Sequence, residues 1–381
     1  MPCTEDCRRF DVSNNGSGRL KFNALFRTMN TIALFIITAT AVVSCKGQNR
    51  LPATGVFERG IATQIGDTVP GLGNNIDCIF QDKHDNYWFA SNGEGVYRYD
   101  GRTILHFTVN DGLCSNFVWE IQEDAHANLW FSTRDGVCRF DGKKFVNYTY
   151  TIQNAVYGIL RYAQGGLFFN HPNGVCFYDG SSFTNFIIHP PTYKPEAHTT
   201  YRPYGVYCTL VDNSGKIWFG TQEKGVCVYD GKSFAYLDGK DLGGPAVRSI
   251  FQDKTGVLWF GNNGGGLYHY DGEVLSNVAE ERNLGNDEFL RKRKLINKPG
   301  SLARVFAINQ DQNGNIWIGT ADAGVWKYDG AQLTNYTDKN GLSGNAVTVI
   351  YKDKKGELWF VSNGNAVCRF DGQGFSKVAL N

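Results

Sequence analysis

The chain has 381 residues, and its 38 Lys plus Arg nearly cancel its 37 Asp plus Glu, so no global field draws it to nucleic acid or to an acidic membrane surface. Glycine (45) and aromatics (26 Phe, 19 Tyr, 8 Trp) are abundant, which suits short strands joined by many tight turns. The length alone would allow two or three domains, but an internal repeat overrides that rule.

The first element is a leader. Residues 31–43, TIALFIITATAVV, form a thirteen-residue apolar run with Arg19, Lys21 and Arg27 on its basic flank. Such a run is short for a bilayer span and fits the core of a signal peptide. It ends in Val42-Val43-Ser44-Cys45, which resembles a bacterial lipobox. That resemblance implies cleavage before Cys45 and lipidation of Cys45, hence a bacterial envelope protein anchored in the periplasm or outer membrane. Residues 1–28 are long for a basic leader segment, and Met29 is a second candidate start. The expected division is a signal peptide over 1–44, then the lipidated cysteine, a tether and a candidate closing strand over 45–71. Residues 72–381 form the folded body.

From about residue 72 one unit recurs seven times: an apolar strand, Asp, a turn, Leu/Ile-Trp-Phe, a polar loop, Gly-Val-x-x-Tyr/Phe-Asp-Gly, and a Phe-containing strand. The anchors are Trp88, Trp130, Phe168, Trp218, Trp259, Trp317 and Trp359. Six residues before them stand Asp82, Asp124, Tyr162, Asp212, Asp253, Asp311 and Asp353. Each unit codes four short strands, with Asp-Gly forming the hairpin between the third and fourth. A single such sheet cannot bury both faces, whereas seven packed face to face around a ring can. The expected fold is all-β, one seven-bladed propeller of four-stranded antiparallel blades, its Trp anchors between blades and its repeated Asp a fold device.

Ten cysteines do not imply disulfides here. Cys138, Cys176, Cys227 and Cys368 occupy one repeat position that elsewhere holds Tyr97, Tyr268 or Trp326, and Cys78 and Cys208 share another register. Positions that exchange Cys for aromatics are packing positions, so buried thiols are expected. Beyond residue 45 no Cys/His spacing suits zinc, and the Asp turns lack the oxygen ligands of a calcium loop. No cofactor, metal site or catalytic residue is expected.

The units IWFGTQEKGVCVYDGKSF and LWFGNNGGGLYHYDGEVL, with the approaches NDGLCSN and NGLSGNA, resemble the two-component regulator propeller repeat. The resemblance covers about 300 residues. In that family such propellers serve as sensor parts of hybrid histidine kinases. The sequence given shows no kinase or receiver motifs, so the resemblance implies a ligand- or protein-binding module without kinase.

The site expectation rests on one face. Two insertions, roughly 187–203 and 279–300, both fall in links between blades, which share a face with the loops between second and third strands. The second contains NDEFLRKRKLIN, a short-helix pattern with Asn286 as cap, either a solvated lid or a partner surface. Five residues before each repeated Asp come Asp77, Trp119, Tyr157, Tyr207, Arg248, Phe306 and Thr348, a variable register beside uniform apolar neighbours. Such side chains either line the mouth of the central channel or plug it. Arg134, His171, Glu223 and Asp322, with Asp135, belong to loops on the same rim. Aromatics beside Arg and Asp suit a small polar molecule or glycan. An envelope-protein partner, with the chain as a scaffold, and a propeller enzyme of streptogramin-lyase type are the alternatives. For the last, His171 and Glu223 are the rim pair to test.

Overall fold

A computed structural model describes residues 65–380 except 159, 161–164, 172–173, 195–201, 238–241, 243–245 and 287–299. The leader, Cys45, the tether, Tyr162 and all but Asn286 of the helix pattern lie outside the described residues. No helix among the described residues is long and apolar enough to cross a membrane.

The repeat unit becomes a blade as its chemistry dictates. In blade 2, Val118–Glu123, Leu129–Thr133, Gly136–Phe140 and Phe145–Asn147 pair antiparallel in sequence order. Seven such sheets form a seven-bladed β-propeller. Among the described residues the buried apolar side chains sort into seven clusters, one for each junction between consecutive blades. The first junction packs Trp88 and Phe107 of blade 1 against Ile121, Phe131 and Phe140 of blade 2. The last packs Trp359 and Val361 of blade 7 against Ile76, Ile79 and Phe89 of blade 1, and so closes the ring.

The repeated Asp is the fold device its register suggested. In all six units that have it, Oδ2 accepts the indole N–H of the Trp six residues on, at 2.7–3.0 Å. Oδ1 meanwhile accepts backbone N–H groups of the intervening turn, as Asp212 does from Ser214 (2.8 Å) and Lys216 (2.9 Å). One carboxylate thus shapes the turn between the first two strands and pins the aromatic anchor of the interblade core. The Asp-Gly hairpins work the same way at the surface, Asp230 Oδ1 accepting from Lys232 and Ser233.

The approach segments have a matching explanation. Thr108 and Thr337 cap single turns over Val109–Asp111 and Asp338–Asn340. Gly112 (φ 100°) and Gly341 (φ 95°) end them in the left-handed region that glycine tolerates, and the following Leu113 and Leu342 drop into interblade clusters. The seven described cysteines are free thiols. Cys138, Cys176, Cys227 and Cys368 are fully buried at their shared position, and burial pushes the Cys78 and Cys208 thiols up to about 12.

Two features add to the sequence reading. In the segment that held a candidate closing strand, Asp67–Val69 pairs with Ile104–Phe107, giving blade 1 a fifth, outer strand. Closure rests on the side-chain junction of blades 7 and 1, including Tyr87 O–H to Asp353 (2.9 Å) and Lys354 Nζ to Asp82 O (2.7 Å). Blade 3, the unit with Tyr162 and Phe168 in place of Asp and Trp, is also irregular. Its short strand Val156–Tyr157 pairs parallel with the outer strand Phe183–Ile187, so the innermost described strand is Leu167–His171. The Gln122 side chain of blade 2 bonds both backbone groups of Phe168 (2.8 and 3.3 Å), taking the place of a strand neighbour there.

Candidate functional site

Links and second-to-third loops do share one face. Asn92 N in such a loop donates to Asn75 O in the preceding link (2.8 Å), and Gly93 N to Asn116 O in the following one (3.0 Å). Asn263 and Gly264 repeat the pattern with Ala246 and Ala303. The two insertions therefore emerge on this face. In the first, the rings of His189, Tyr193 and Tyr204 meet edge-on in succession, and Tyr204 meets Tyr236 of the outer strand of blade 4. In the second, the chain turns through a short helix, Val278–Glu281.

The variable register sits at the mouth end of the innermost strands, and its cause is a repeated backbone irregularity. In six blades the first strand skips a pairing: Val118 opposes Thr133 and Glu120 opposes Ser132, which leaves Trp119 without a cross-strand partner. Asp77, Tyr207, Arg248, Phe306 and Thr348 occupy the same bulge. A β-bulge leaves its extra residue out of the ladder and re-aims its side chain. This explains why the position varies while its neighbours stay apolar.

The bulge residues of blades 4 to 6 come together. The Arg248 guanidinium lies 3.8 Å from the Tyr207 ring centroid and 5.2 Å from that of Phe306. Trp119 (43%) and Tyr207 (41%) remain exposed, which is unusual for such large aromatics and leaves ring surface open at the mouth. On the opposite side, Asp77 and Thr348 share a depression of about 490 Å³ with Asn75, Asn92 and Asn363. Burial raises the Asp77 pKa, partly offset by a hydrogen bond from Asn92.

Tyr157 is not brought to this ring. It stands on the strand beside the outer strand of blade 3, with its ring 5.9 Å from that of His171. That unit has Tyr162 and Phe168 where the other six have the Asp–Trp pair. Burial lowers the His171 pKa, so the ring favours its neutral form. The other rim residues are tied into the frame. Exposed Arg134 covers the Phe117 ring at 3.3 Å, Asp322 pairs with Arg304 at 3.2 Å, and Glu223 N donates to Pro203 O.

Residues the sequence reading passed over are Asn75, Asn92, Asn363 and Glu120. Asn75 (φ 54°) and Asn363 (φ 51°) looked like turn residues and are, yet they also line the depression. Glu120 follows the bulge in blade 2, and burial pushes its carboxyl from 4.5 up to about 7 against one hydrogen bond from Ser132 (3.2 Å). The raised value means the protonated acid favours the folded state. That contribution is complete below the unfolded value and is lost as pH rises toward the folded one. Glu120→Gln is expected to stabilise the protein by about 2 kcal/mol at about pH 8 and hardly at all at about pH 4, measured by denaturant unfolding. Equal effects at both values would remove the buried-acid assignment.

An all-β ring of seven blades with a side-chain-lined mouth defines the chain as a β-propeller of the loop-presenting kind. More particularly, the two component regulator propeller model matches it at residues 70–93, 241–264, 299–322 and 341–364. Each matched segment spans an innermost strand and its neighbour, and together they include Asp77, Arg248, Phe306 and Thr348. Among solved structures, the chain is similar to virginiamycin B lyase from Staphylococcus aureus, in a catalytically inactive form with quinupristin (13% identity, 79% of this chain and 97% of that one, TM-score 0.57). It is also similar to the GH74 enzyme of Niastella koreensis (13% identity, 82% and 55%, TM-score 0.52). A third is the extracellular domain of the hybrid two-component system BT3049 from B. thetaiotaomicron (19% identity, 80% and 46%, TM-score 0.47). The chain thus spans about half the length of that ectodomain. At these identities the likeness is one of fold. No curated protein matches the chain.

Proposed function

We propose that this chain is a non-enzymatic, envelope-located binding propeller that takes a small polar molecule or glycan at its loop-rich mouth. The observation that carries the reading is the bulge ring, which in six blades frees one variable side chain from the sheet and gathers Tyr207, Arg248 and Phe306. The exposed aromatics supply stacking area, while Asp77 and the asparagines of the depression supply orienting hydrogen bonds. The repeats it carries support a sensor-type role, with ligand occupancy passed to a partner in the envelope.

A glycan and metabolite screen on the purified protein supplies the ligand. Trp119→Ala or Arg248→Ala is then expected to weaken binding by about 1–3 kcal/mol with an unchanged melting temperature. His84→Ala and Lys254→Ala, on turns at the far face, are expected to leave it unaltered. The reverse pattern in calorimetric titrations would place binding elsewhere.

The apolar run and its Val-Val-Ser-Cys ending support anchoring through Cys45. Cys45→Ala is expected to abolish fatty-acid labelling and to release the protein from membranes. Labelling that persists in this variant would rule the anchor out.

A further inference from the structure

Arginines that stack on aromatics occur at several places in this propeller, and most have a role in the frame. Arg98 lies over Trp88, Arg139 over Trp130 and Arg369 over Trp359, each covering an interblade anchor. Arg304 is paired with Asp322 and Asn263, and Arg369 also with Glu357. Arg248 differs from all of these. It stands on a mouth bulge, its flanking rings Tyr207 and Phe306 are themselves bulge residues, and no carboxylate among the described residues pairs with it. Its Nε is buried and without a hydrogen-bond partner, as are those of Arg98, Arg139 and Arg369, but in Arg248 alone of the four this donor stands on a mouth bulge.

A guanidinium flanked by rings over its faces keeps only its in-plane edge for hydrogen bonding. That edge is a planar fork of N–H donors, whose best geometric match is a carboxylate held by two parallel bonds. An unpaired buried donor costs free energy that such a group would recover. It is the single basic side chain among the six bulge residues, so the positive charge is localised. Across the mouth, the depression at Asp77, Thr348, Asn75, Asn92 and Asn363 offers both donors and acceptors, the equipment for hydroxyl groups.

We propose that Arg248 is the carboxylate receptor of the mouth, and that the ligand class is a small hydroxylated organic acid. This rests on the binding reading above and adds the charge of the ligand to it. The test uses the full chain with arginine Nε–H groups labelled for NMR. It is titrated with D-glucuronate, D-gluconate and L-tartrate, each beside its neutral methyl ester. At least one acid is expected to shift the Arg248 Nε–H signal and the Trp119 indole signal, while its ester is at least tenfold weaker, about 1.4 kcal/mol. R248K, which keeps the charge and loses the fork, is expected to abolish most of that preference, as is R248Q. Acid and ester that shift the mouth signals equally would overturn the carboxylate assignment and leave the binding reading standing. Shifts that spare Arg248 and Trp119 in favour of Arg134 or Arg304, or no response to any acid, would overturn the assignment as well. In the no-response case, neutral ligands from the screen still decide the binding reading.

Discussion

Deleting residues 343–381 is expected to leave a chain that no longer unfolds cooperatively and that aggregates. The deletion removes the four strands of blade 7 and with them two of the seven interblade clusters. On one side Trp317, now 2% exposed, loses Phe360, Phe370 and Phe375. On the other, Ile76, Ile79 and Phe89 lose Trp359 and Val361. Truncating one such aromatic costs about 3–5 kcal/mol, and a domain has only about 5–15 kcal/mol in total, so losing two clusters exceeds what the remaining ring can supply. Size-exclusion chromatography with thermal unfolding reads the outcome. A monomer with the melting temperature of the intact protein would show that the ring is not a single cooperative unit.

Asp353→Ala is the point substitution with the largest expected effect, about 4 kcal/mol of lost stability. Its carboxylate accepts from the Trp359 indole, from Lys355 N and Glu357 N in its own turn, and from Tyr87 O–H across the closing junction, all at 2.9 Å. Removing it leaves a buried indole and a phenol unpaired where blade 7 meets blade 1. Asp371→Ala, at an exposed hairpin with bonds only to its own loop, is the matched control and is expected to leave the melting temperature nearly unchanged. Acid supplies a second readout. Burial pushes the Asp353 pKa up, but the bonds from Trp359, Glu357 and Tyr87 outweigh it and hold the group below 3.8. Stability from this group is therefore present above the unfolded value and lost as pH falls through the lower folded one. The wild type is expected to lose stability below about pH 4, and the variant to lose less over the same interval. Parallel pH curves for the two proteins would mean that the bonds do little.

The ring was legible because each unit repeats an energetic device at fixed spacing. Six residues from Asp to Trp is the span of one turn plus the return strand, and six units carry it. Blade 3 announced its own irregularity by having Tyr162 and Phe168 instead, yet its other landmarks read as ordinary, and Tyr157 was placed on an inner strand it does not form. The mouth register was visible as variability at one position. Its bulge was not, since one extra residue in a strand leaves no mark in an apolar pattern that simply resumes at Ile79 or Ile121. The asparagines of the depression were hidden by their dual use, because Asn75 and Asn363 satisfy turn geometry and also line the depression.

Because a bulged residue pairs with no cross-strand neighbour and stands outside the seven clusters, its side chain is nearly free of the fold's demands. On the binding function proposed above, recognition and folding are then encoded at different positions of the same repeat. Duplicating a unit copies the Asp–Trp latch along with one blank position at the rim, which can be rewritten without touching the latch. A library randomised only at residues 77, 119, 207, 248, 306 and 348 would accordingly sample ligand preference on one constant scaffold, and the repeat architecture supplies these six addresses as a by-product of closing its ring.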